Sequence, residues 1–415
     1  MKKKLLKSFV IVTLLMFVSL VYFIGCSDEA TPSLYNPPST TGTPEITSVD
    51  PPAVAIGAVT AITITGKNFS SDVSKMKVYF GDEAANILSA SPTQLTVISP
   101  NVSGDMNIRV ANQSSVAFSN SYQYTLTPAA EDFYPAAGDS VNRPYSFVFD
   151  KSDNIFSYNA SLGVYQITPD GVATLYSPKS GEAYWTSMRF GPNGVLYGVR
   201  GSAQAIFTIP ANAGGTVKNS VWVSLTPATI KIAKIEFDPL GNMWAAGKNT
   251  AIYRIKSDKS YVSFPFDYNV TAMRVFVDNG TTYLYVAAQG TSSTTIKRLP
   301  IDANGDLGTP EDYFDFSANY GAEYTINDMT FAADGTLYLA TDLPSPIVYI
   351  NTNKSHGLLY QGILLQSPAL SITWGNGNYL YYVRTRMNET SGKFKLAQAI
   401  VKMNMLKPGA PYYGM

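Results

Sequence analysis

From Phe147 onward one short pattern recurs six times: an apolar strand, a turn containing Gly or Asn, and a second strand holding an aromatic. It reads Phe147-Val148-Phe149-Asp150 … Asn154-Ile155-Phe156, then Met188-Arg189-Phe190 … Leu196-Tyr197 and Ile235-Glu236-Phe237 … Met243-Trp244. It continues as Met273-Arg274-Val275 … Leu284-Tyr285, Met329-Thr330-Phe331 … Leu337-Tyr338 and Ile372-Thr373-Trp374 … Leu380-Tyr381. The anchor residues 149, 190, 237, 275, 331 and 374 lie 41, 47, 38, 56 and 43 residues apart, 45 on average. A third strand follows in each unit, from Val164–Ile167 in the first to Ala399–Met403 in the sixth. A period of this length fits one four-stranded sheet per unit, which buries its faces only against its neighbours. Such sheets remove their open edges by closing into a ring, the architecture of a β-propeller. Residues 130–415 are therefore predicted to form six blades. The sixth unit runs out after Met403, so Glu131–Tyr134 or a nearby segment is expected to lend its outer strand.

The rest of the chain is organised differently. Lysines stand at positions 2, 3, 4 and 7, and Ser8–Ile24 is an apolar run of 17 residues. A basic start followed by such a run is a secretory signal. As a transmembrane anchor it would be at the short limit for spanning. The single cysteine of the chain, Cys26, stands where the run stops. Phe23-Ile24-Gly25-Cys26 resembles a bacterial lipobox, which implies acylation of the Cys26 thiol and cleavage before it; the alternative is a free surface thiol. Residues 1–25 are then a lipoprotein signal peptide. The remainder carries 26 bases against 30 acids. Ser27-Asp28-Glu29 is similar to the acidic export tag of Bacteroidota surface lipoproteins. Ala30–Thr43 is rich in Pro, Ser, Thr and Gly, cannot bury a core, and reads as a flexible tether completing residues 26–43. The expected location is the bacterial outer membrane, lipid-anchored, on the cell surface or the periplasmic face.

Residues 44–127 carry short alternating strands separated by turn-formers, the pattern of a β-sandwich. Pro44-Glu45-Ile46-Thr47-Ser48-Val49-Asp50-Pro51, Ile62-Thr63-Ile64-Thr65-Gly66-Lys67-Asn68-Phe69 and Val78-Tyr79-Phe80-Gly81 resemble landmarks of the IPT/TIG domain. That resemblance implies an immunoglobulin-like fold and, in a surface protein, a spacer. Gly66 is expected to supply a backbone state other residues avoid, with Phe69 turning into the core. The fold class expected for the whole chain is thus all-β, an immunoglobulin-like sandwich followed by a six-bladed propeller. Turns such as Phe331-Ala332-Ala333-Asp334-Gly335-Thr336-Leu337-Tyr338 resemble NHL repeats and the related SMP-30/gluconolactonase-like and TolB-like propellers.

Composition narrows the function. Charged residues make up 14% and balance at 30 acids and 30 bases, which excludes nucleic-acid binding through a strongly basic face. One Cys and one His exclude a disulfide framework and a multi-histidine metal site. No G-x-S-x-G, H-E-x-x-H or P-loop occurs. Asp302-Ala303-Asn304-Gly305-Asp306 fails the EF-hand spacing and reads as a polar turn, with room for loosely held Ca²⁺ and no other cofactor expected. In an antiparallel blade the start of the first strand and the end of the second share one face. Tyr145, Tyr184, Trp185, Lys234, Asn327 and Asp328 precede first strands, and Arg200, Lys248, Asp342 and Arg384 follow second strands. Aromatics beside such polar groups suit a sugar, rings stacking on C–H surfaces and polar ends bonding hydroxyls. Trp185 with Tyr184 leads that set; the alternative is that Trp185 packs between blades. The expected function is a surface binding protein for a glycan or protein ligand, with no catalytic residues assigned. The alternatives are a metal-dependent lactonase-like hydrolase, to which Asn327 would give a metal ligand by resemblance, or a structural part of an envelope complex.

Overall fold

A computed structural model describes residues 42–136, 139, 141–388 and 394–413. The predicted signal peptide, the lipidated Cys26 and nearly all of the tether lie outside the described residues. Among the described residues no helix is long and apolar enough to cross a membrane.

Residues 44–127 form two sheets. One has the order Glu45–Asp50, Ala61–Lys67, Gln94–Ile98, Asn86–Ser91. The other has the order Val54–Ile56, Tyr122–Thr127, Gly104–Asn112, Met76–Phe80, Glu83–Ala84. In Ala61–Lys67 every second residue is buried, so Ile62 and Ile64 face the core while Thr63 and Thr65 do not. Phe69 is buried, as expected. Gly66 departs from expectation: the left-handed backbone belongs to Asn68 (φ 60°). Gly66 is needed instead for space, because a Cβ there would strike the Glu45 carbonyl oxygen and the Phe69 ring.

Residues 130–413 hold six four-stranded antiparallel sheets. Blade 1 is Pro144–Phe149, Ile155–Asn159, Gly163–Ile167, Ala173–Pro178; blade 2 is Ser187–Phe190, Leu196–Val199, Ala205–Ile209, Ser220–Ser224. Blade 3 is Ile232–Phe237, Met243–Gly247, Ala251–Ile255, Tyr261–Pro265; blade 4 is Asn269–Asp278, Thr281–Gln289, Thr294–Pro300, Glu311–Asp315. Blade 5 is Ile326–Phe331, Leu337–Thr341, Ile347–Ile350, His356–Leu358. Blade 6 takes Ala369–Trp374, Tyr379–Arg384 and Ala399–Asn404 from the end of the chain and Ala130–Tyr134 from before blade 1. The borrowed strand pairs with Ala399–Asn404 in register from Ala130↔Met403 to Tyr134↔Ile400, which closes the ring. The longest anchor spacing, between blades 4 and 5, has a visible cause: the Asp302–Gly308 loop and a one-turn helix, Phe316–Tyr320, are inserted there.

Neighbouring blades share apolar cores. Between blades 1 and 2, Phe156, Tyr158, Trp185, Phe190 and Phe207 pack together; between blades 4 and 5, Tyr285, Met329, Phe331 and Leu339 do so. Tight turns punctuate one face. In blade 1 the Asp150 carboxylate accepts from the Ser152 and Asn154 amides and the Asn154 side chain, each at 2.9 Å. In blade 3 Asp238 repeats this with Leu240 and Asn242 and also takes the Trp244 indole N–H at 2.9 Å. In these two blades the Asp-x-x-x-Asn spacing closes the turn on itself.

Candidate functional site

The expected site lay on the face where first strands begin, and the structure spends most of it on the ring itself. Trp185 is fully buried. Its ring lies where a Gly198 Cβ would sit, 5.5 Å from Tyr158 and 6.4 Å from Phe207. Its carbonyl accepts the Ser146 hydroxyl at 2.8 Å. Trp185 is thus an inter-blade wedge and cannot stack on a ligand, which corrects the leading expectation. Arg384 is 2% exposed and holds Asp132 of the borrowed strand by two bonds, at 2.5 and 2.8 Å. It is a ring clasp, not a binding residue, because its fork is filled. Asp342 takes the Thr325 amide at 2.6 Å, and the Asn327 amide donates to the Ala369 carbonyl at 2.9 Å. The Arg200 guanidinium lies 4.7 Å from the Phe207 ring centroid. Tyr145 and Tyr184 do come together, stacked at 4.0 Å with Tyr184 exposed, and Lys248 is exposed. Burial, then Tyr184, pushes the Tyr145 hydroxyl up to about 12.

Lys234 and Asp328 were expected at a channel mouth. Both are buried within the inner strands. The Lys234 ammonium donates to the Asn327 carbonyl of blade 5 at 2.5 Å. Burial pulls that ammonium down, with Asp328 opposing. Asp328 accepts from the Met329 and Ile372 amides and the Ser371 hydroxyl at 2.9–3.1 Å. One step nearer the turns lies a set that the sequence reasoning missed. Glu236 bonds Arg189 at 3.0 Å and Arg274 at 3.2 Å, with all three side chains at least 94% buried. Their signal was present: each stands immediately before the anchor of its unit, a charge inside an apolar strand in three consecutive repeats.

A second missed element crosses the turn face. Gly409 bridges to Ala332, Lys407 pairs with Asp334 at 2.8 Å, and Tyr412 donates to the Phe190 carbonyl at 2.8 Å. The Arg274 guanidinium lies 5.5 Å from the Tyr412 ring centroid. Residues 407–412 are therefore a strap from blade 5 to blade 2. Burial, then Glu236, holds the Tyr412 hydroxyl un-ionised well above its ordinary range.

Among the described residues, cavities open on the turn face at three places between blades. The first, of 530 Å³, lies between blades 1 and 2 and is lined by Lys151, Phe156, Gln166, Tyr176, Asn193 and Asn212 among others. The second, of 420 Å³, lies between blades 6 and 1 beneath the strap. The third, of 550 Å³, lies between blades 4 and 5. There Phe276 and Phe331 stack at 4.2 Å, and the Lys354 ammonium sits 2.9 Å from the Tyr313 ring centroid. Burial, then Arg298, pulls the Lys354 ammonium down to about 8. The Asp302–Gly308 loop of blade 4 reaches blade 3: Asp306 pairs with Arg254 at 2.8 Å, and Asp302 accepts the Asn304 and Asp306 amides. Those acids serve a polar turn, as read from the sequence. Among the described residues no three His, Cys, Asp or Glu side chains cluster so as to hold a metal ion.

Residues 44–127 match the family model described as IPT/TIG domain. No curated protein matches the chain. Among solved structures the chain is similar to an auxiliary nutrient binding protein from Bacteroides thetaiotaomicron, at 13% identity and a TM-score of 0.51, covering 87% of this chain and 97% of that one. It is also similar to a luciferin-regenerating enzyme, at 14% identity and a TM-score of 0.53, covering 69% of this chain and 98% of that one. At such identities the likeness shows the fold alone. That fold carries binding proteins and enzymes alike.

Proposed function

We propose that this chain is a lipid-anchored protein of the bacterial outer membrane, exposed at the cell surface, whose propeller binds a glycan through its turn face. The observation that carries this reading is the row of three cavities of 420–550 Å³ on that face, each joining aromatic walls to polar or cationic side chains. Such volumes lie within the roughly 300–1,000 Å³ of small-molecule sites. The signal sequence, Cys26 and the tether supply the anchor, and residues 44–127 act as spacer. A surface-bound site also raises the local concentration of receptor for released sugars. The nutrient-binding description of one fold neighbour accords with this role.

Binding of the full chain to a glycan panel tests it. Tyr176→Ala and Lys354→Met should each weaken retention, while Tyr184→Ala on the opposite face should not; the reverse pattern would return the site to the strand-start face. Cys26→Ser should release the protein from the membrane fraction, and protease shaving of intact cells should remove the propeller.

A further inference from the structure

The geometry points to the cavity beneath the strap as the site for a carboxylate-bearing sugar, held by Arg274. This rests on the reading of the turn face as the binding face and names the ligand class of one of its three cavities.

The first ground is charge. Arg189 and Arg274 share one carboxylate, Glu236, and the three side chains are 5%, 6% and 2% exposed. Elsewhere on the inner strands Asp328 acts on both Lys234 and Arg189, and Asp278 pairs with Arg298. Arg274 is therefore left with half of one carboxylate, the other half being taken by Arg189. A buried charge that shares its counterion is costly to hold, so a further anion beside it is favoured. Tyr412, though packed on Arg274, is un-ionised and cannot supply that charge.

The second ground is the supply of donors. Arg274 borders the cavity and, among the described residues, makes a single hydrogen bond, to Glu236, of the roughly five N–H donors a guanidinium carries. Trp374 also borders it, and its indole N–H is buried without a partner among the described residues. Lys151 stands exposed at the rim. Asp150, the one acid lining the cavity among the described residues, is committed to its own turn by three bonds. A site with unspent donors in its wall, and its acid committed elsewhere, favours a ligand that accepts. A guanidinium fork matches a carboxylate through two parallel bonds. A guanidinium already sharing one carboxylate suits a monoanion better than a phosphate dianion. The 420 Å³ volume and the Phe149 and Trp374 rings suit a sugar bearing that group.

Calorimetric titration of the full chain with galacturonate, galactose and inorganic phosphate tests this. Galacturonate should bind, galactose should bind at least tenfold more weakly, and phosphate should not compete at equal concentration. Arg274→Lys should weaken galacturonate at least tenfold by losing the fork. Because Arg274 also bonds Glu236, the rim variant Lys151→Glu, which touches no core group, should weaken it several-fold with an unchanged melting temperature. Equal affinity for acid and neutral sugar, or indifference to both variants, would overturn the carboxylate assignment while leaving the turn face standing through the Tyr176 and Lys354 variants. Absence of galacturonate binding would also overturn it, and tighter binding of phosphate would reassign the site to phosphorylated ligands.

Discussion

The two faces of the propeller use polar residues for opposite purposes. Where first strands begin, polar groups reach into the next blade: Ser146 bonds the Trp185 carbonyl, Thr186 the Ala233 carbonyl, and Asn327 the Ala369 carbonyl. At the turn face they close on themselves, as Asp150 and Asp238 do within five residues. Groups spent between blades hold the ring together and leave nothing to offer. Groups spent locally leave the space between neighbouring blades unfilled, and the cavities lie there. A polar residue at a strand start is therefore weak evidence for a binding site in this architecture, however well its chemistry suits a ligand.

The largest effects should come from the face that holds the ring. Trp185→Ala empties a fully buried site and should cost about 3–5 kcal/mol in urea unfolding. If it costs under about 1 kcal/mol, the wedge role is wrong. Gly198→Ala should also be severe, since its methyl would meet the same ring. Arg384→Ala leaves Asp132 without its partner across the closing seam. Breaking such a buried pair costs about 3–5 kcal/mol, reduced here because Asp132 is 34% exposed. A broadened or two-step unfolding transition, reporting early loss of Ala130–Tyr134, is the expected signature.

The fold was legible where a pattern repeats and obscure where contact depends on distant chain. The missing fourth strand of the sixth unit announced the borrowed strand 130–134, because an unpaired edge has to be covered. The turn loops were legible from Asp, Asn and Gly spacing. For Trp185 the sequence left ligand stacking and packing between blades both open, because the space that decides it is made by Gly198 on a neighbouring strand. The strap at 407–412 has no periodicity to read, and its anchor, Phe190, lies 222 residues away from Tyr412. Glu236, Arg189 and Arg274 were readable in principle as charges at one register position of consecutive repeats. Reasoning that looked only at strand ends passed over them.

At the turn-side end of the inner strands, Tyr412→Phe should cost about 1 kcal/mol by losing the bond to Phe190. Its pH dependence separates the two faces. The folded phenol titrates above its unfolded value near 10, so the stability it contributes is whole below that pH and lost as pH rises through the folded value. Between pH of about 9 and 11, the urea midpoint of the wild type should fall more steeply than that of Tyr412→Phe. Parallel curves would assign the alkaline loss to other buried phenols, such as Tyr145 on the opposite face.

The smallest effect should come from the open turn face itself. Lys354 is exposed, so Lys354→Met should change stability at neutral pH by no more than about 0.5 kcal/mol. Its folded ammonium titrates at about 8, below its ordinary 10.5, so folding disfavours the charged form. The folded state then holds fewer protons than the unfolded chain between those values, and wild-type stability should rise slightly with pH across that window. Lys354→Met should flatten the rise. Ligand retention should behave differently: a cation over the Tyr313 face is a contact point for an acidic or polar sugar, so the same substitution should weaken binding at the cavity between blades 4 and 5. A residue whose loss moves binding but hardly moves stability is what an offering face predicts, whereas a matching loss of both would make Lys354 another structural pin and erase the distinction between the two faces at this blade.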